Sequence, residues 1–263
     1  MVAGTIRAYQ QATTLQMVPV TLIGVAISTA AFPKMTERLS QGRPDLFRKE
    51  LQSILRVIIW LALPVAVVAY FTRGYLVRFV VGSGDQLMAG ILGVLTVAIL
   101  FRSLYQIAAR SFYAHQDTRT PLYISLFTIG LNIFLAILFT VGFGMGAIGL
   151  AWAQSMVAAV EIFILFTIMQ RRIPGLFDRE FAGAFLRMLS ATGFTSVATY
   201  FAVNVFSLLD NQSFFALFPK FALILLFSAV VYIISSKILN LSEVDPVLRK
   251  INNLLFAQVK GGK

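Results

Sequence analysis

Apolar runs of about twenty residues, separated by short polar breaks, recur seven times along this chain. Each is long enough to cross a hydrocarbon core of roughly 30 Å, so the pattern predicts seven transmembrane helices. The first covers about residues 5–31, and its front half is unusually polar, with Gln10, Gln11, Thr13, Thr14 and Gln16. Pro19 lies inside it and predicts a kink; Pro33 predicts its end. A charged segment, 34–50, leads to the second run, about 51–71, with Pro64 inside. A loop with Gly82, Gly84 and Asp85 precedes the third, about 86–109. The polar connector from Arg110 to Pro121 separates it from the fourth, about 121–141. Thr120–Pro121 reads as a helix start, because proline at the first helical position gives up an N–H that has no partner there. Gly142–Gly146 forms a turn before the fifth run, about 147–170. After Arg171–Gly175 and an amphipathic stretch come the sixth, about 184–208, a turn at Asp210–Gln212, and the seventh, about 213–235. In the tail from Lys237, Asp245–Pro246 reads as a further helix start. Leu248, Ile251, Leu255 and Val259 recur there opposite Arg249, Lys250 and Asn253, which is either a short amphipathic helix on the membrane surface or a solvated tail.

Composition agrees with a membrane protein. Hydrophobic residues make up 58% and charged residues 13%, with a mean hydropathy of +0.82, where soluble domains carry about 25% charged residues. The net charge of +11 does not indicate nucleic acid, because the basic residues sit between apolar runs rather than on one polar face. With no cysteine, disulfides and thiolate chemistry are excluded. The loops after the first, third, fifth and seventh runs, with the adjoining run ends, hold all the lysines and arginines except Arg7, Arg73, Arg78 and Lys220. That bias puts those loops and the C-terminus in the cytoplasm. Seven spans then place the N-terminus outside, an arrangement that leads us to expect further sequence upstream.

Three motifs resemble one family. Val18–Thr36 carries Pro19, Gly24, small residues and Phe32–Pro33 in an order similar to a helix of the MurJ/MviN lipid II flippases. Arg110–Ala114, with Tyr113, followed by Asp117, Thr120 and Pro121, resembles the family's second marker. Gly149–Ala153 after a glycine turn resembles a third. The resemblance covers nearly the whole chain and implies an all-α integral membrane protein of the MOP exporter superfamily. It implies residues 1–170 as most of the second lobe, 171–236 as two additional spans forming a lipid groove, and 237–263 as a cytoplasmic amphipathic tail. The function implied is alternating-access transport of an undecaprenyl-diphosphate-linked peptidoglycan precursor in cell-wall synthesis, in a bacterial inner membrane. The implied partners are membrane lipids, the lipid-linked oligosaccharide and an N-terminal half of the same transporter.

The resemblance and the residues together give candidate sites. Cationic side chains on a cavity hold a diphosphate by charge-assisted hydrogen bonds. The arginines that do so in the family lie mostly in the first lobe, and the one expected near the start of the first run is replaced here by Thr14 or a neighbour. Gln10, Thr13, Thr14 and Gln16 either line the cavity or bond between helices. Arg102 and Arg110, two turns apart, either guide phosphate at the inner mouth or anchor topology. Asn132 matches a sodium-binding asparagine of some members, although the carboxylate often found one turn later is Ala136. Glu161, the only acidic residue inside a run, is either an ion-coupling group, for sodium or a proton, or a hydrogen-bonded structural one. His115 reads as a loop residue. No cofactor is expected, and no Asp-rich diphosphate motif, HExxH or GxSxG points to an enzyme. Two readings stand beside the flippase: a polysaccharide or drug exporter half of the same superfamily, and a truncated membrane remnant that does not transport.

Overall fold

A computed structural model describes residues 2–82, 84–206, 208 and 214–249. The turn at Asp210–Gln212 and the tail positions Lys250, Ile251, Asn253, Leu255 and Val259 lie outside the described residues. The described chain is built from α1 (Val2–Pro19), a π-helical segment Val20–Val25, α2 (Ala26–Ser40), α3 (Pro44–Phe71), α4 (Arg73–Val81), α5 (Gln86–Ala114), α6 (Arg119–Ile137), a second π-helical segment Leu138–Gly142, α7 (Gly146–Arg172), α8 (Arg179–Val205) and α9 (Phe214–Ile238).

Six of these stretches are long and apolar enough to cross a membrane, the first being the continuous run Gly4–Ser40. The seventh expected span is present as α8, which at 27 residues has the length, but it is not among the six. Its hydropathy is lowered by Glu180, Arg187, Ser190, Thr192, Thr195 and Thr199. Within α8 the hydroxyls of Ser190, Thr192, Thr195 and Thr199 return to carbonyls one turn back, so their polarity is satisfied inside the helix.

Two expected boundaries shift. At Pro19, where a kink was expected, the chain continues into a π-helical turn that begins one residue later, a wider winding that absorbs the carbonyl left without a donor. Pro33 does not end the first helix, because α2 runs on to Ser40. The stop is Gly42, whose φ of 67° belongs to the left-handed region and lets Arg43 N–H reach back to the Arg38 carbonyl at 3.0 Å. The connector before α6 is also organised differently from expectation. α6 begins at Arg119, with Pro121 inside its first turn rather than at its first position, and Asp117 is the group that satisfies the free N–H donors.

Helix α4 was not foreseen. Nine residues with two arginines are too short and too charged for a span, yet Tyr75 and Val77 are buried. The Tyr75 hydroxyl donates to the Phe206 carbonyl and ties α4 to the end of α8.

The middle of the bundle is α5, which packs against α1, α2, α3 and α7. One core cluster joins α2, α3, α5, α7 and α8 around Leu55, Ile58, Ile107, Leu165 and Met188. A second, at the other end, joins α1, α4, α5 and α7 around Ala12, Met88, Ile91 and Leu95. Helices α8 and α9 pack on each other and reach the rest mainly through α3. By contrast α6 lies on α7 with most of its surface open, showing Leu122, Tyr123, Phe127, Phe134 and Ile137 outward, the composition of a lipid-facing helix.

Two motif glycines have a direct packing reason. A Cβ at Gly24 would lie 2.7 Å from Ser103 Cα, and one at Gly149 would lie 2.8 Å from the Phe139 carbonyl carbon. Each allows a π-helical segment and an α-helix to touch backbone to backbone.

Candidate functional site

A polar chamber of about 420 Å³ opens between α1, α5, α6 and α7. Helical spacing brings its polar groups together. On α5 Arg102, Tyr105 and Gln106 lie at i, i+3 and i+4; on α6 Ser125, Thr128 and Asn132 lie at i, i+3 and i+7; on α7 Gln154 and Glu161 are two turns apart. The three stripes face one another, and Met17 and Val20 of the first helix close the fourth side.

Glu161, midway along α7, is held by hydroxyls. Its Oε1 accepts from Ser125 Oγ at 3.1 Å and from Thr128 Oγ1 at 3.2 Å. The Ser125 hydroxyl also lies 3.2 Å from that of Tyr105. Near Gln154, the Tyr9 hydroxyl donates to Gln154 Oε1 at 2.6 Å and joins α1 to α7. Arg102 shares the chamber, and among the described residues its buried Nε has no hydrogen-bond partner. One cation and one carboxylate from different spans therefore line the same chamber. Such groups persist within a membrane where they face a polar cavity rather than lipid.

A second cavity, about 550 Å³, is apolar and runs between the first helix, α3 and α9, with Pro19, Leu22, Trp60, Pro64, Phe221 and Ile233 in its wall. Its wall is fixed by Tyr232, whose hydroxyl donates to the Trp60 carbonyl at 2.7 Å, and by the Trp60 indole, which donates to Ser236 Oγ at 3.1 Å.

The expected substrate-binding residues divide among several places. Arg102 is in the polar chamber. Gln16 is 1% exposed, lines the apolar cavity, and among the described residues has no hydrogen-bond partner for either side-chain polar atom. Gln10 and Thr14 lie on the open face of α1, where the Thr14 hydroxyl donates to the Gln10 carbonyl at 3.0 Å. Arg110 lies outside both cavities and holds α5 to the first helix, donating to Thr29 Oγ1 at 2.5 Å. The two ion-coupling candidates, Asn132 and Glu161, meet in the polar chamber together with Arg102. Tyr9, Tyr105, Gln106, Ser125, Thr128 and Gln154 were not singled out from the sequence; the fold brings them together from four helices.

The connector motif is a helix-end junction. Asp117 Oδ1 accepts from the backbone N–H of Arg119 at 3.1 Å and of Thr120 at 3.0 Å, and Oδ2 accepts from Thr120 Oγ1 at 2.6 Å. Arg172, at the end of α7, donates to the same oxygen at 2.5 Å and stands 5.2 Å from the Phe112 ring. The Thr120 hydroxyl and N–H, with Arg172 beside them, hold the Asp117 carboxyl well below the usual carboxylate range. Tyr113, 43% exposed, makes none of these contacts. At the next junction Asp178 is likewise lowered, first by the Phe181 N–H and then by Gln52 and Arg48.

Six long apolar helices packed into one bundle define a multi-pass membrane protein. The family described as lipid II flippase MurJ matches residues 1–240, and the chain belongs to that family. A probable lipid II flippase MurJ of Thermotoga maritima is 26% identical over 253 residues, covering 94% of this chain and 48% of that protein. The lipid II flippase MurJ of Thermosipho africanus is 28% identical over 166 residues, 60% of this chain and 34% of that protein. The solved structure of a lipid II flippase MurJ in an inward closed conformation shares the fold, with a TM-score of 0.70 at 24% identity, over 89% of this chain and 47% of that one. The chain thus spans about half the length of the relatives it matches.

Proposed function

We propose that this chain supplies the second lobe, less its first helix, together with the two additional helices, of a flippase that moves a lipid-linked peptidoglycan precursor across a bacterial inner membrane. The observation that carries the reading is the open polar face of α1. Gln10 and Thr14, with Arg7 one turn earlier, point away from the bundle in a helix that otherwise reads as a membrane span. A polar face on a spanning helix belongs against protein or a water-filled path, and a first lobe facing α1 would complete that path for the headgroup. The apolar cavity beside α9 suits the lipid chain, and α8 and α9, the additional pair in this reading, contribute Thr195, Phe221 and Ile233 to its wall. In the same reading the C-terminus is cytoplasmic, because the junctions rich in arginine lie at that end, and transport is coupled to sodium or a proton through Asn132 and Glu161.

The test is complementation. In cells depleted of their own flippase, this chain expressed with a separately encoded first lobe restores growth, and neither chain does so alone. Growth supported by this chain alone, or no rescue when both chains are in the membrane, refutes the reading. A phosphatase fused after Lys263 is inactive if the C-terminus is cytoplasmic and active if it is not.

A further inference from the structure

We propose that the chain binds a membrane phospholipid of the phosphatidylethanolamine type, its headgroup in a polar pocket where α3 and α8 begin and its acyl chains in the apolar groove alongside. The site shares no residue with the apolar cavity beside α9. It requires that the protein spans a membrane and does not depend on transport.

The pocket, about 580 Å³, lies between the charged starts of α3 and α8 and the chain just beyond α9. Arg48, Lys49 and Arg56 line it together with Asp178, Glu180 and Glu243, so its wall is balanced in charge. The balance is not even along the wall. Arg56 is shared between Glu243, at 2.5 Å, and Glu180, at 3.2 Å, which leaves one negative charge in excess around it. Arg48 and Lys49 have Asp178 as their counter-charge in the pocket, which leaves one positive charge in excess. A ligand carrying both signs fits such a wall better than a simple anion or a simple cation.

Two buried polar atoms of the pocket residues have no hydrogen-bond partner among the described residues. One is a donor, Arg48 Nε; the other is an acceptor, Glu243 Oε2, on a side chain 5% exposed. Buried groups of this kind are normally satisfied. Both side chains are already anchored, Arg48 by donating from Nη1 to the Pro174 carbonyl at 3.2 Å and Glu243 by Arg56. A phosphoethanolamine group supplies what each lacks: its phosphate accepts from Arg48 and Lys49, and its ammonium donates to Glu243 Oε2. A choline headgroup carries the same charges without an N–H, so it leaves the carboxylate oxygen unpaired.

Phe181 makes the ligand a lipid. It lines the polar pocket and also an apolar groove of about 920 Å³ between α3, α5, α7 and α8. In that groove the rings of Phe166, Phe177 and Phe181 follow one another at centroid distances of 5.0 and 5.2 Å, an apolar track leading away from the headgroup. Phe163, further along the groove, is 73% exposed, so the groove opens to the outside of the bundle.

The experiment is native mass spectrometry of the full chain, released from mild detergent after equilibration with equimolar phosphatidylethanolamine and phosphatidylcholine of identical acyl chains. The expected result is a preference for phosphatidylethanolamine of about tenfold, the weight of one charge-assisted hydrogen bond. Glu243→Gln removes the accepting carboxylate and brings the two lipids to near parity. Should that variant fail to fold, Ser53→Trp serves, because Ser53 is exposed on the same wall and a large ring there fills the pocket from outside the core. It also brings the lipids to near parity. Equal retention of the two lipids by the wild type, or an undiminished preference in Ser53→Trp, overturns the proposal. A further arm adds soluble phosphoethanolamine at the concentration of the lipid. The lipid stays bound if the groove holds its chains; displacement at equal concentration would mean a soluble ligand and overturns the proposal.

Discussion

Asp117→Ala should be the most damaging change in the connector, and the structure indicates its size. The side chain satisfies two backbone donors at the start of α6, one hydroxyl, and Arg172 from the end of α7. Loss of a helix-start cap costs about 0.5–2 kcal/mol. The Arg172 contact adds less, about 0–1 kcal/mol, because the arginine is 44% exposed and screened by water. The sum is about 0.5–3 kcal/mol, with the cap as the larger part. Asp117→Asn keeps an oxygen for the cap and should lose less, and Arg172→Ala should lose least. Unfolding of the purified chain by denaturant in mild detergent, followed by tryptophan fluorescence, ranks the three. Equal losses for Arg172→Ala and Asp117→Ala would refute the reasoning, since the ion pair and not the cap would then hold the junction. Acidity gives an independent check. Asp117 is lowered in the folded protein, so its contribution is fully present above the ordinary carboxylate value of about 3.9. It fades as pH falls below that value and is gone only beneath the lower folded value. The gap between wild type and Asp117→Asn is therefore flat from about pH 5 to 8 and narrows at lower pH.

Gly24→Ala should destabilise by about 1–3 kcal/mol, because the new methyl meets the Ser103 backbone at 2.7 Å, whereas Gly130→Ala meets nothing within 4 Å and should be neutral. Thermal unfolding of the two variants side by side checks both. Arg56 binds Glu243, whose side chain is 5% exposed, and also Glu180, which is 78% exposed. Glu180→Gln should be silent, while Arg56→Ala strands a buried carboxylate and costs about 3–5 kcal/mol, read in the same unfolding assay. In proteoliposomes this chain alone should show no flipping of a fluorescent lipid-linked sugar; measurable flipping would mean that it encloses a complete path by itself.

Hydrophobic runs carried most of the architecture because a span is a property of composition over about twenty residues. They named α3, α5, α6, α7 and α9 to within a few residues at most ends. The failures were local. Pro33 looked like a stop, but the left-handed Gly42 ends α2, and proline near a polar helix end costs only one hydrogen bond. Helix α4 escaped because its burial depends on Tyr75 meeting Phe206 far along the chain. At the chamber, Arg102, Asn132 and Glu161 were visible singly, as charges or amides in apolar runs. Tyr105, Ser125 and Thr128 were not, since a hydroxyl in a span is ordinary until a carboxylate from another helix lies beside it. Arg110 had two readings from its charge, a phosphate guide or a topology anchor, and the contact the structure adds, a hydrogen bond to Thr29 on another helix, could not be read from the chain alone.

The π-helical turn after Pro19 has a consequence for the lengths this helix can have. A π turn holds one residue more than the α turn it replaces, so Val20–Val25 carries a spare residue. Removing one residue anywhere else between Gly4 and Ser40 would rotate everything beyond it by about 100° and swing Gly24 or Met35 out of its packing. Removing one within 20–25 lets the turn relax to ordinary α winding while the two flanking helices keep their faces. That short stretch is therefore the place where the first helix can lose a residue and keep both of its neighbours.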